Sequence, residues 1–144
     1  MALEMQKLVI DTNVIISALI GKGNPYRILY HVVFDEKARL HFSEEIWEEY
    51  VEVLNRERFA KFPDFKTNAE IVLNRLAELG KIVVPTKKIE MLKDTDDNMF
   101  LETAVAANAD FLITGNTNDF TISQIEKTKI VTPADYWENY RPAQ

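Results

Sequence analysis

Short apolar runs alternate with longer amphipathic stretches along the whole chain, and this alternation is the feature that most limits the fold. The short runs have the length of strands, whereas the stretches between them repeat their apolar positions with a helical period. Strands are predicted over residues 7–10, 39–42, 82–84, 111–114 and 130–131. Such alternation is typical of an α/β sandwich with a mostly parallel sheet.

The predicted helices are bounded by residues that favour helix ends. Ser43 is an N-cap residue, and the two glutamates after it lie where the helix dipole favours acids. Gly80 ends a helix, and Thr132 caps a last helix that has Pro133 at its first position. Helices are predicted over residues 14–20, 26–34, 43–55 and 67–79, from the polar run 94–98 to 109, and from 133 onward.

Composition narrows the class of protein further. No repeat or linker divides the 144 residues, so we expect a single domain over residues 1–144. The absence of cysteine excludes disulfides, thiolate metal sites and a cysteine nucleophile. No apolar run is long enough to span a bilayer, and we expect a cytoplasmic protein. The net charge of -6 argues against a simple basic clamp for nucleic acid, but not against a nuclease whose acids bind a cation.

Two aspartates lie where a parallel sheet places its functional sites. Asp11 directly follows the first predicted strand, so its carboxylate is expected at the carboxyl edge of the sheet, as a metal ligand, a nucleophile or a helix cap. At about 100° per residue, Asp97 lies near the centre of the apolar arc of its helix. It therefore points inward as a functional acid, or satisfies the first backbone amides of that helix.

The remaining candidates are less distinct by position. Glu49 lies just outside the apolar face of its helix, and helical periodicity favours an ordinary solvated acid there. Asn116 and Asp119 follow a predicted strand, where polar residues form turns or sites. His31 and His41 each stand alone among apolar residues, which favours structural roles.

Several acids at one edge suit one kind of chemistry. Mg²⁺ and Mn²⁺ prefer oxygen ligands and bind through a few carboxylates plus water. Two such ions about 3.5–4 Å apart can stabilise both the attacking and the leaving oxygen of a phosphodiester. A site of this kind needs no nucleophilic side chain.

Four stretches of the chain resemble the motifs of PIN-domain proteins, in the order of that family. Residues 9–14 (VIDTNV) resemble the opening motif, 43–50 (SEEIWEEY) the second, 94–101 (DTDDNMFL) the third and 109–116 (ADFLITGN) the fourth. Residues 132–136 (TPADY) resemble the closing segment of a PIN subgroup described as toxin components of toxin–antitoxin pairs. The resemblance covers nearly the whole chain.

This resemblance implies a Rossmann-like, three-layer α/β/α sandwich and a divalent-metal-dependent endoribonuclease. Asp11, Glu49 and Asp97 fall at the acidic positions of the family and would be the catalytic ligands of Mg²⁺ or Mn²⁺, with metal-activated water hydrolysing RNA. Many PIN nucleases have aspartate where this chain has Asn116, which offers an oxygen ligand without charge. Asp119 is the alternative source of a fourth carboxylate.

The resemblance also implies supporting residues and partners. Four polar residues beside the motifs would support the metal ligands or position the substrate, namely Thr12, Asn13, Ser43 and Thr114. The densest basic stretch offers phosphate contacts for RNA, or is a solvated connector, and contains Arg56, Arg58, Lys61 and Lys66. The expected partners are an RNA substrate, an antitoxin protein and a second copy of the chain, without a membrane.

Two other functions compete with the nuclease hypothesis. One is a catalytically weak or inactive PIN-fold module that binds RNA or protein, which the departure at Asn116 motivates. The other is an aspartyl-phosphate enzyme with Asp11 as nucleophile. Haloacid-dehalogenase-like phosphatases have a second aspartate two residues later, where this chain has Asn13, and the chain shows no suitable lysine motif.

Overall fold

A six-stranded sheet with helices on both faces forms the molecule, a three-layer α/β/α sandwich. The computed structural model describes residues 5–92, 97–115 and 122–143. The strands are β1 (Gln6–Ile10), β2 (Ala38–Phe42), β3 (Lys81–Ile82), β4 (Phe111–Ile113), β5 (Gln124–Ile125) and β6 (Thr128–Val131). Their order in the sheet is β3-β2-β1-β4-β6-β5, and every neighbouring pair is parallel except β5 and β6. The predicted fold class is therefore confirmed.

The described residues form six α-helices, and three of their ends fall at the predicted cap residues Ser43, Gly80 and Thr132, whereas the helices predicted from residues 14, 26 and 67 begin two residues earlier. The six helices are α1 (Thr12–Ile20), α2 (Asn24–Ile28), α3 (Glu44–Leu54), α4 (Phe65–Leu79), α5 (Asn98–Ala107) and α6 (Pro133–Asp135). The side chains of Ser43 and Thr132 cap α3 and α6 by accepting bonds from the amides of Ile46 and Asp135. π-Helical turns continue α2 over Leu29–Val33 and α6 over Tyr136–Tyr140.

The structure corrects several predicted boundaries. The strand predicted over residues 82–84 is the shorter β3, and the helix predicted up to residue 109 ends at Ala107. The edge strand β5 was not predicted, because a two-residue strand is too short to show alternation. Most of the loop predicted over residues 115–119 lies outside the described residues.

The core is centred on β1, the third strand of the sheet. Leu8, Val9 and Ile10 have 0–1% of their surface exposed, as expected of a strand covered by helices on both faces. From β1 the chain adds β2 and then β3 on one side of the sheet, and it then crosses to the other side of β1 to add β4 and the later strands. The sheet therefore reverses its winding between β1 and β4, and clefts for ligands form at such a switch point, beyond the carboxyl ends of the strands.

Glycine at position 80 allows the chain to enter β3. A Cβ atom built there would lie 2.4 Å from Cε2 of Phe42 and 2.7 Å from the carbonyl oxygen of Leu76. Only a residue without a side chain fits between the end of α4 and the neighbouring strand.

Within the described ranges, no helix is both long and apolar enough to cross a lipid bilayer.

Candidate functional site

Asp11 stands at the switch point and links β1 to β4. Its backbone amide donates to the carbonyl oxygen of Ile113, 2.9 Å away. Its Oδ2 accepts a 2.7 Å hydrogen bond from the Thr114 hydroxyl, and its Oδ1 accepts from the Asn13 amide at 3.3 Å. The side chain caps α1 and only 4% of the residue is exposed. Asp11 is thus both the helix cap and the edge carboxylate that the sequence offered as alternatives.

Glu49 comes to the same edge from α3. The Thr12 hydroxyl donates to its Oε2, across 37 residues of sequence, and Glu49 is half-buried. Helical periodicity favoured a solvated acid at this position, and that interpretation was wrong. The contact with the first residue of α1 places Glu49 beside Asp11 at the carboxyl end of β1.

Tyr50 is the residue at this site that the sequence did not single out. Its hydroxyl donates a 2.5 Å hydrogen bond to the carbonyl oxygen of Ile10, and the residue is fully buried. Burial raises the pKa of Tyr50 well above its usual value, and the negative charges of Asp11 and Glu49 raise it further. The tyrosine therefore fastens α3 to the end of β1, and both carboxylates act on it. Its only sequence signal was a place on the apolar face of α3, which also describes ordinary core residues.

Asp97 occupies the cap position before α5 and is half-buried. The next residue, Asn98, is buried and fastens the preceding chain, because its Oδ1 accepts from the Leu92 amide at 3.0 Å. Glu102 acts similarly one turn later, accepting a 2.8 Å bond from the Ile89 amide. α5 packs against β1, β2 and β4, and this packing sets the position of its N-terminal end, and hence of Asp97, relative to the sheet.

The structure brings the predicted acids together in part. Glu49 contacts Thr12, the residue after Asp11, and both acids lie near Tyr50, whereas Asn116 and Asp119 lie outside the described residues. Within residues 5–92, 97–115 and 122–143, no three histidine, aspartate or glutamate side chains converge closely enough to hold a metal ion. The roles of Asp11, Glu49, Asp97, Asn116 and Asp119 in catalysis and metal binding therefore stay predictions.

The predicted supporting residues occupy distinct places around these acids. Thr12 and Thr114 are buried and donate to the two carboxylates. Ser43 is also buried, but its hydroxyl accepts from the Ile46 amide at 3.2 Å and so serves the cap of α3. Asn13 is exposed at the start of α1, and its described contact with Asp11 is through the backbone.

The basic stretch lies on the surface next to the end of α3. Arg56 pairs with Glu52 at 2.9 Å and Lys66 with Glu57 at 3.2 Å, all exposed. Two further cations lie over aromatic rings, Arg58 at 4.8 Å from the Phe59 centroid and Lys61 at 5.5 Å from that of Phe62. Exposed ion pairs contribute little stability, so these cations can exchange partners at low cost.

The two histidines take no part in this edge. Nδ1 of His41 donates to the Arg39 carbonyl oxygen at 3.1 Å, and only 4% of His41 is exposed. Burial lowers the pKa of His41, because it disfavours the charged imidazolium. The hydrogen bond to the Arg39 backbone raises the pKa in part, and the positive charges of Lys7, Arg39 and Lys81 lower it. His31 is exposed and contacts the Tyr26 ring edge-on. The burial of His41 agrees with the structural role that we expected, whereas His31 is exposed and its structural role stays a prediction.

The donors at the edge determine which ligand suits it. Asp11 and Glu49 present carboxylate oxygens, and the chain contains no cysteine. Two carboxylates on adjoining elements repel each other unless a cation or a proton lies between them. Hard divalent cations such as Mg²⁺ and Mn²⁺ prefer such oxygen donors, so these residues fit part of a divalent-cation site.

Comparison with known proteins agrees with this architecture. A family model for the PIN domain matches residues 7–118, most of the chain. An uncharacterized protein of Methanocaldococcus jannaschii is 29% identical over 143 residues, covering 93% of this chain and 91% of that protein. A chain in the crystal structure of VapBC2 from Rickettsia felis, bound to a DNA fragment from their promoter, has a TM-score of 0.56 and 14% identity, covering 88% of this chain and 98% of that one. At such identity the structural likeness concerns the fold.

Proposed function

Because this chain belongs to the PIN-domain family, we propose that it is a divalent-metal-dependent endoribonuclease acting as the toxin of a toxin–antitoxin pair. The observation that supports this most is the pairing of Asp11 and Glu49 at the carboxyl end of β1. Each carboxylate accepts a threonine hydroxyl, and both raise the pKa of the same buried tyrosine. A cation bound by both carboxylates would offset the repulsion between their negative charges.

The proposed roles follow from these contacts. Asp11, Glu49 and Asp97 would hold Mg²⁺ or Mn²⁺, and Asn116 or Asp119 would complete the ligands. A bound Mg²⁺ or Mn²⁺ would stabilise the phosphate as a Lewis acid and would lower the pKa of a bound water. The Thr114 and Thr12 hydroxyls donate to the carboxylates of Asp11 and Glu49, and these bonds would orient the two side chains toward a bound ion.

RNA would approach along the basic stretch after α3. Arg56 and Lys66 are held only by exposed ion pairs, and backbone phosphates can replace the carboxylate partners. This supplies positive charge beside an edge that is itself acidic. Because these cations would neutralise backbone phosphates and release their counterions, we expect RNA binding to weaken as salt is added.

The partners are proposed from similarity alone. The VapBC2 assembly of Rickettsia felis has a chain with the same fold, which supports an antitoxin as the partner of this protein. A second copy of the chain is the other expected partner.

The experiment is cleavage of a mixed pool of single-stranded and structured RNA with Mn²⁺, Mg²⁺ or EDTA. Asp11→Asn removes a charge and keeps the shape of the side chain, so we expect metal-dependent cleavage to be lost. Asp35→Asn is the matched control, because Asp35 is exposed and precedes β2, at the opposite edge of the sheet. This variant should cleave RNA like the wild type. Cleavage that persists in EDTA, or in Asp11→Asn with Mn²⁺, would contradict the proposal.

One observation favours a second candidate, a PIN-fold module that binds RNA or protein without cutting. Asn116 stands where many PIN nucleases have an aspartate, so an uncharged amide replaces one carboxylate of the site. In that case folded protein would bind RNA equally well in EDTA and in Mn²⁺, and no cleavage product would form with either ion.

A further inference from the structure

A groove of about 770 Å³ lies at the carboxyl end of β3 and reaches Ile82, the last residue of that strand. One wall is the first turns of α3, a second is β3 with the chain that follows it to residue 90, and the third is the start of α5. We call this feature the β3 groove. It lies beside the proposed nuclease site, but neither Asp11 nor Glu49 lines it.

The strand in this groove has an open side. The order of the sheet ends at β3, which pairs only with β2 among the described strands. Ile82 lies opposite Phe42, and the amide of Val83 donates to the Phe42 carbonyl oxygen at 2.9 Å. In a parallel pair the residues that bond to the neighbour alternate with residues that face away. The N–H and C=O of Ile82 therefore point out of the sheet, where another strand can pair with them.

Apolar side chains accompany this open side. Ile82 is 58% exposed, Val84 81% and Met91 54%. Ile82 and Val84 line the groove, whereas Met91 follows seven residues after Val84 and lies outside the lining. A concentration of exposed apolar surface next to an unpaired strand edge is typical of a binding surface.

The negative charge of the groove lining distinguishes between three possible occupants, which are RNA, a second copy of the chain and a basic polypeptide. The lining contains five glutamates and two lysines, and Glu44, Glu45 and Glu48 form the exposed wall on α3. RNA phosphates would be repelled by this wall. A second copy of the chain, paired symmetrically, would bring the same glutamates face to face. A polypeptide with basic side chains is attracted instead.

We infer that the β3 groove binds an extended, basic segment of a partner protein, which adds a strand to β3. Alternate side chains of such a strand point to opposite faces, so basic residues can meet the glutamates of α3 while apolar residues cover Ile82 and Val84. Binding there requires neither a divalent ion nor RNA, so its failure would leave the nuclease proposal intact.

The probe is a capped hexapeptide of alternating arginine and valine, titrated into the ¹⁵N-labelled full chain in EDTA. We expect saturable amide shifts at Ile82 and Val84. Ile82→Pro removes the outward N–H, which an edge strand tolerates, and should weaken binding about tenfold, the upper range for one hydrogen bond. Ile82→Val keeps the amide and the branched side chain and should bind like wild type.

A charge variant tests the same surface without touching the strand. Glu45→Lys should weaken peptide binding, whereas Glu70→Lys, the same change on the exposed face of α4 outside the groove, should not. Equal loss in these two variants would mean non-specific attraction and overturn the inference. So would equal binding by Ile82→Pro and Ile82→Val, or shifts that never saturate. A short RNA that shifts the same amides, or a dimer that Ile82→Pro alone dissociates, would assign the groove to those occupants.

Discussion

Thr114→Val offers the sharpest test of the carboxylate edge, because the chain contains a matched control. Thr114 and Thr128 are 0% and 1% exposed, and each hydroxyl donates one 2.7 Å hydrogen bond. The acceptors differ, since Thr114 bonds the Asp11 carboxylate and Thr128 bonds the backbone carbonyl of Ala109, at the amino edge of the sheet. Valine has nearly the same shape as threonine, so each change removes one hydroxyl.

The expected magnitudes follow from the acceptors. A hydrogen bond to a charged group contributes about 1.5–3 kcal/mol to stability, and one between neutral groups about 0.5–1.5 kcal/mol. Thr114→Val should therefore lower the free energy of unfolding more than Thr128→Val. Losing a group that orients a metal ligand costs about 10–100-fold in affinity. Only Thr114→Val should weaken Mn²⁺ binding by that factor.

The assay combines urea unfolding with Mn²⁺ binding followed by electron paramagnetic resonance of the free ion. The unfolding data show whether a variant is still folded, so that a weaker affinity for Mn²⁺ can be assigned to the lost orientation of Asp11 and not to lost structure. If Thr114→Val and Thr128→Val weaken Mn²⁺ binding equally, or neither does, the hydroxyl of Thr114 does not orient a metal ligand, and the account of this edge is refuted.

Three further predictions concern the fold that carries the site. Tyr50 and Tyr136 each bond one end of β1 through a buried hydroxyl, so replacing either by phenylalanine should cost about 1 kcal/mol in urea unfolding. Only Tyr50→Phe should also weaken Mn²⁺ binding, and equal Mn²⁺ affinity of the two variants would contradict its positioning role. Gly80→Ala should destabilise the protein by about 1–3 kcal/mol, since the new methyl would lie 2.4 Å from an aromatic carbon of β2; unchanged thermal unfolding would show that the ring moves aside. The pKa of His41 lies below its unfolded value because of burial, so its contribution to stability is fully present above about pH 6.5 and falls as the pH drops toward the folded pKa. The free energy of unfolding should then differ less between pH 7.5 and pH 5.5 for His41→Gln than for the wild type. An equal difference in the two proteins would mean that His41 does not contribute to the pH dependence of stability.

Much of the fold follows from local patterns. Apolar runs of strand length and explicit helix caps are decided within a few residues of sequence, and Ser43 and Thr132 cap the helices that they were expected to cap. The edge strand β5 could not be predicted in this way. Its turn to β6 places Glu126 at φ 49°, without the glycine or asparagine that marks such a hairpin, and β5 itself has two residues.

The candidate site likewise has one part that local sequence patterns predict and one part that they do not. The sequence by itself determined that Asp11 follows a buried strand, because β-strand and helix-cap signals meet at that residue. Only the tertiary structure decided that Glu49 is half-buried beside it, since the Thr12 hydroxyl approaches from 37 residues away, and that Tyr50 fastens α3 to β1. Helical periodicity describes one helix in isolation, whereas the surroundings of a residue at the border of an apolar face depend on which element packs there. That packing is set by how α1, α3 and the sheet meet, and no local pattern contains it.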